Sequence, residues 1–186
     1  MDLRIERTYR SLIEAFTRLL EERPYEDVTV AMLCNEAMIR RTTFYKHFAD
    51  KGEFFSFFVD SLYRDFARMG DDVGRETPGR GGAVLKELME FLLDHERMVD
   101  NLLESSMSAM MLSVMCGRAT QAIREQYRLD IDGTEQADML DAASEFSSGG
   151  IVRVIETWWL EGHRREDVDG LCKLVDAFVA RVAGAA

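Results

Sequence analysis

Residues 29–55 read TVAMLCNEAMIRRTTFYKHFADKGEFF. Thr29 is placed to cap a short helix, and Met32, Leu33 and Ala37 recur at the three- and four-residue spacing that faces inward. The pattern breaks near Met38 and Ile39, and a further short helix is expected over roughly 40–46. Phe44 and Phe48 stand four apart and can anchor that helix, which leaves Arg41, Thr42, Tyr45 and Lys46 on other faces. Asp50 then opens a longer helix, with Asp50 and Glu53 at capping-box spacing. Phe54, Phe55, Phe57, Phe58, Leu62 and Phe66 carry it to about Arg68. Two short helices joined by a tight turn have helix-turn-helix spacing.

Within this stretch, RRTTFYKHFADK (40–51) has Arg, Lys, Thr or Tyr at seven of twelve positions. Arg bonds guanine bidentately, Thr offers its methyl to thymine, and Tyr and Lys suit phosphates or base edges. Lys51 falls in the first turn of the next helix, where free backbone N–H groups also favour a phosphate. The plainer alternative is a packed helix with a solvated charged face. The formal charge of −11 does not exclude nucleic acid, because residues 1–48 hold eight basic and eight acidic side chains. Residues 49–186 hold fifteen and twenty-six, so the acidity lies outside the basic stretch.

Upstream, Ile5, Tyr9, Leu12, Ile13, Phe16, Leu19 and Leu20 form one helical stripe, with Asp2 as a possible cap and Pro24 as the stop. Downstream, GDDVGRETPGRGG (70–82) is expected to be a hinge or surface loop, since it holds five glycines and a proline. Further helices are expected at about 83–95, 98–104, 107–127, 134–161 and 166–182, joined by a loop over 128–136. The expected fold is all-α with about nine helices. It divides into a helix-turn-helix domain over 1–68, a loop over 69–82 and a second helical domain over 83–186.

Other classes find little support. No run of about 18 apolar residues suggests a membrane span, and the charged N-terminus lacks the apolar stretch of a signal peptide. Cys34, Cys116 and Cys172 match neither a disulfide framework nor a paired-cysteine metal site. His47, His95 and His163 are scattered, and HExxH, GxSxG, P-loop and GxGxxG motifs are missing. No enzyme, cofactor or metal is expected, and a soluble cytoplasmic protein is the simplest reading.

The 29–55 stretch resembles the helix-turn-helix of the tetracycline-repressor (TetR) family. Thr29, Val30, Ala37, Thr43, Tyr45, His47, Phe48 and Lys51 fall on the family pattern at the same spacings. The variant AMIRRTTFYKHF (37–48) looks most like a subgroup that includes activators of dihydroxyacetone-kinase operons. The resemblance implies that Thr29, Thr43, Tyr45, His47 and Lys51 hold the DNA backbone. It implies that Arg41 and Thr42 read bases, with Arg40 at the helix entrance. Three residues depart from the pattern: Met38 replaces a turn glycine, Arg40 a capping serine, and Thr42 a glycine.

The resemblance further implies a C-terminal domain that forms a homodimer and encloses a small-molecule pocket. The sequence offers Leu140, Ala143, Ser147, Gly150, Ile151, Val154, Ile155 and Trp158 as one stripe, and Val168, Leu171, Leu174, Val175, Phe178 and Val182 as another. Gly150, Ile151, Val154, Ile155, Leu171, Leu174 and Phe178 are the candidate interface residues; the alternative is that both stripes close the core of one chain. MSAMMLSVMC (107–116) is methionine-rich, which suits an adaptable core or a pocket for a hydrophobic effector. Met110, Met111, Phe146 and Trp158 are the candidate lining residues, and His95, Asn101 and Gln121 are polar groups nearby in sequence or pattern. The expected function is a homodimeric repressor released from near-palindromic operator DNA by a small effector. The alternative is a TetR-like activator or interaction protein controlled by a protein partner.

Overall fold

In a computed structural model that describes residues 3–72, 80–127, 134–162 and 164–183, nine α-helices follow one another, with no strand among the described residues. The expected cap Asp2, His163, the loop over 128–133 and the centre of the glycine-rich segment lie outside those residues. The helices divide into two compact units. One joins Met1–Ser61 with Asp94–Met111, and the other joins Leu62–Leu93 with Leu112–Ala186. A segment within the sequence range 83–186 is therefore built into the unit that carries the helix-turn-helix.

In the first unit, α1 (Leu3–Glu22) buries Leu12, Ala15, Phe16, Leu19 and Leu20 along one stripe. Pro24 lacks an N–H and stops that helix, and a single 3-10 turn (Tyr25–Asp27) leads to α2 (Val30–Glu36). The Thr29 hydroxyl accepts the Met32 N–H at 3.2 Å, a side-chain cap for a helix of only seven residues. Next come α3 (Arg41–Phe44) and α4 (Lys51–Asp72). An isolated four-residue helix has no stability of its own, so tertiary packing must hold α3.

Aromatic rings supply that packing. Phe16, Phe44, Phe54, Phe55 and Phe58 are fully buried. Phe16 meets Phe54 and Phe58 edge-on at 5.2 and 4.9 Å, while Phe54 lies 5.8 Å from Phe44 and 5.1 Å from Phe48. α6 (Glu96–Leu103) lays Met98, Val99 and Leu102 into the same unit, packed on α1. Asn101 Nδ2 donates to Leu20 O at 2.6 Å, satisfying a carbonyl in the last turn of α1.

The second unit holds α5 (Arg80–Asp94), most of α7 (Ser108–Tyr127), α8 (Thr134–Leu160) and α9 (Val168–Ala183). Tyr63 donates to Arg118 O at 3.0 Å, and Lys86 pairs with Asp169 at 2.6 Å. Gly82 at the start of α5 is hydrogen-bonded through its backbone to the Asp176 carboxylate of α9. A Cβ at Gly82 would collide with that carboxylate, so a larger residue there must push the Asp176 side chain aside.

Two expectations need correction. The segment over 70–82 is not all loop, because α4 extends through Asp72 and α5 already begins at Arg80. The expected α8 stripe is also divided between interior and surface. Leu140, Ser144, Ser147, Ser148, Val152, Ile155 and Trp159 are buried, whereas Gly150 and Val154 are exposed. Small serines turn inward there because helix packing selects for volume, and Ser148 Oγ bonds Thr120 Oγ1 at 2.6 Å. No described helix is long and apolar enough to cross a membrane.

Candidate nucleic-acid interface

The turn between α2 and α3 closes by two backbone bonds. Ile39 N donates to Cys34 O at 2.9 Å and Met38 N to Asn35 O at 3.1 Å, the Schellman pattern of a helix C-terminus. Such a turn places its central residue in the left-handed region, and Met38 has φ +53° with its side chain 91% exposed. The turn shape that a glycine would ordinarily provide is thus retained, at the cost of strain at Met38.

Arg40 is extended (φ −79°, ψ 145°) at the N-cap of α3 and makes no side-chain cap bond. The expected helix over 40–46 is shorter as an α-helix, Arg41–Phe44, and continues as turns, with His47 N donating to Phe44 O at 2.9 Å. Phe44 and Phe48 point inward as expected. Arg41, Thr42, Tyr45 and Lys46 are exposed, and Thr43 and His47 are half-buried. Six of the candidate contacts therefore follow one another along a short segment pinned by two buried rings. The Tyr45 ring rests edge-on against Phe44 at 5.4 Å, so its phenol is held at the surface.

Tyr9, which sequence reading placed only in the α1 stripe, lies against this segment. Its hydroxyl is 3.3 Å from His47 Nδ1, and the two rings meet edge-on at 5.3 Å. A bond at Nδ1 fixes one edge of the imidazole and leaves Nε2 as the other available nitrogen. Thr29, exposed at the start of α2, already uses its hydroxyl as a cap. Asp50 Oδ1 accepts the Glu53 N–H at 2.8 Å, and Glu53 Oε2 accepts the N–H of Ala49 at 2.5 Å. The return bond of the capping box is thereby shifted one residue upstream.

Lys51 is placed differently from the other cations. Its Nζ donates to Tyr25 O and Val28 O, both at 2.7 Å, and lies 3.9 Å from the centre of the Tyr25 ring. Desolvation lowers its pKa, opposed by the charges of Glu26 and Asp27. Glu26 in turn accepts the Ser106 N–H and hydroxyl at 2.8 Å each, and those bonds hold its carboxyl below the usual range.

The remaining candidates separate. Met110 is half-buried, with its sulfur 3.7 Å from Ser56 Oγ, and Met111 is buried. Both belong to the first unit, whereas Phe146 and Trp158 belong to the second. Phe146 is 67% exposed and meets Phe178 at 6.3 Å, so it shares an open face with candidate interface residues. Trp158 is half-buried. On that face Leu174, Phe178 and Val154 are exposed and Gly150 is open, Ile151 and Leu171 are half-buried, and Ile155 is buried. His95 lies 3.7 Å from Glu21, and Gln121 bonds Glu125 at 3.0 Å.

Residues 12–56 match the bacterial regulatory proteins of the tetR family, a span that contains α2, the turn and α3. The chain resembles that family over these residues. Its fold is also that of solved family-sized chains. The dihydroxyacetone kinase operon activator DhaS superposes with a TM-score of 0.63 at 16% identity, covering 94% of this chain and 96% of that one. RolR without ligand gives 0.58 at 17% identity, with the same coverages. At these identities the likeness speaks for the fold alone, an all-α fold.

Proposed function

We propose that the chain is a homodimeric repressor whose α3 helices read adjacent major grooves and whose grip is released by a small-molecule effector. In this reading residues 1–68 bind operator DNA and 83–186 dimerise and sense the effector. The observation that carries the DNA step is the exposure of Arg41, Thr42, Tyr45 and Lys46 on a segment fixed by buried Phe44 and Phe48. Arg41 and Thr42 would read base edges, while Thr29, Arg40, Thr43, Tyr45, Lys46 and His47 would meet the backbone. Duplex selected from a random pool supplies the test. Arg41→Ala is expected to relax base preference, and Lys46→Ala to weaken all sequences and reduce the salt slope by about 1. Equal effects of the two changes on every sequence would overturn the assignment.

Dimerisation is supported by the open apolar face of α8 and α9, where Phe146, Val154, Leu174 and Phe178 are exposed. A two-fold pair also doubles the few bases that one short helix can read. An effector site in the second unit is supported by the wholly buried Ser144, whose Oγ has no hydrogen-bond partner among the described residues. Effector binding would favour a conformer with a different separation of the two α3 helices, by as much as its affinities for the two states differ.

A further inference from the structure

We propose that Lys51 is a positioning residue for α2 and α3, holding the turn over 25–28, and not a cation that neutralises a DNA phosphate. The inference rests on the DNA-binding reading above. An ammonium has three N–H bonds, and Lys51 commits two of them to carbonyls of one turn. Those carbonyls come from residues 26 and 23 positions earlier in the chain. The Tyr25 ring adds a cation–π contact at 3.9 Å.

The position of the turn gives the bond its effect. Val28 directly precedes Thr29, the cap of α2, and Val28 is itself buried. Lys51 opens α4 and follows the α3 segment by a few residues. A single side chain therefore ties the start of α2 to the start of α4, and α3 lies between them in sequence. Release of the ammonium would leave Tyr25 O without its side-chain donor, though Val28 N also donates to it at 3.1 Å. Val28 O would lose its bond to Lys51 beside the α2 cap. The acidic Glu26 and Asp27 in the same turn make the site favourable for a retained cation and unfavourable for an approaching phosphate.

The test uses the whole protein and the duplex enriched by wild-type selection. Lys51→Met keeps the aliphatic stem and removes the charge. The expected result is a several-fold loss of affinity with an unchanged slope of log affinity against log salt. Hydrogen exchange at the amides of 28–33 should be faster in the free variant. Lys46→Ala in parallel should lose about 0.9 of slope per chain, the signature of one phosphate. A comparable slope loss in Lys51→Met, with exchange unchanged, would overturn the proposal. So would a lowered melting temperature with affinity and slope both unchanged. If Lys51→Met does not fold, Lys51→Arg, which can offer two N–H groups to the two carbonyls, should restore exchange protection. Faster exchange in that variant, equal to unfolded rates, would count against the clamp. If wild-type protein enriches no duplex, the DNA reading fails, and the exchange comparison still decides whether Lys51 holds the turn.

Discussion

Replacing Met38 by glycine should stabilise the first unit. Met38 has φ +53°, where the Cβ of an L-residue crowds its own carbonyl at a cost of about 1–2 kcal/mol. Its side chain is 91% exposed, so removing it forfeits almost no burial. Glycine gives back part of the gain through its larger freedom in the unfolded chain, about 0.5–1 kcal/mol. The net expectation is a gain of about 0.5–1 kcal/mol, equivalent to exchange slowed about 2- to 5-fold at amides that open with the unit. The assay is hydrogen exchange at Ile39 and Phe48, whose N–H groups bond Cys34 O and Phe44 O at 2.9 and 3.0 Å. Met38→Ala is the control, because it trims the exposed side chain and keeps the Cβ. If Met38→Gly protects these amides no better than Met38→Ala, the strain argument is wrong.

Phe44→Ala should cost about 3–5 kcal/mol by opening a cavity beneath α3, and calorimetry should show loss of the first unit's transition before any effect on the second. Gly82→Ala should destabilise the second unit by about 1–3 kcal/mol, since the new methyl meets the Asp176 carboxylate; a neutral outcome in chemical denaturation would refute the close approach. Glu26 has a folded pKa below its ordinary 4.5 because Ser106 donates two bonds to it. Its contribution is therefore present above the unfolded pKa and lost as pH falls through the folded value. Ser106→Ala should lower stability near about pH 6 and converge with wild type in acid, which a pH series of denaturation curves would check.

The helix-turn-helix was legible because its signals are local. Thr29 caps, Phe44 and Phe48 repeat at helical spacing, and the displaced turn glycine marks where φ turns positive. The length of α3 was less legible, because rings from α1 and α4 hold it and its own propensity does not. Lys51 shows the limit most clearly. Sequence places a lysine at a helix N-terminus, where phosphate is the ordinary partner. The carbonyls that hold it lie in a turn more than twenty positions upstream, and nothing near Lys51 announces them. In α8 the expected stripe joins buried Leu140, Ser147 and Ile155 with exposed Gly150 and Val154, and Ser144 and Ser148 went unread as interior because they are polar. Phe146, read as pocket lining, is instead open beside Phe178, because apolarity alone does not tell a core from a face awaiting a partner.

The central claim is tested most directly by selecting duplexes from a random pool with the purified protein and weighing the complex formed on the winner. The account predicts a two-fold symmetric sequence, two chains per duplex and affinity that falls steeply with salt. No enriched sequence at low salt, or one chain on an asymmetric site, would contradict it.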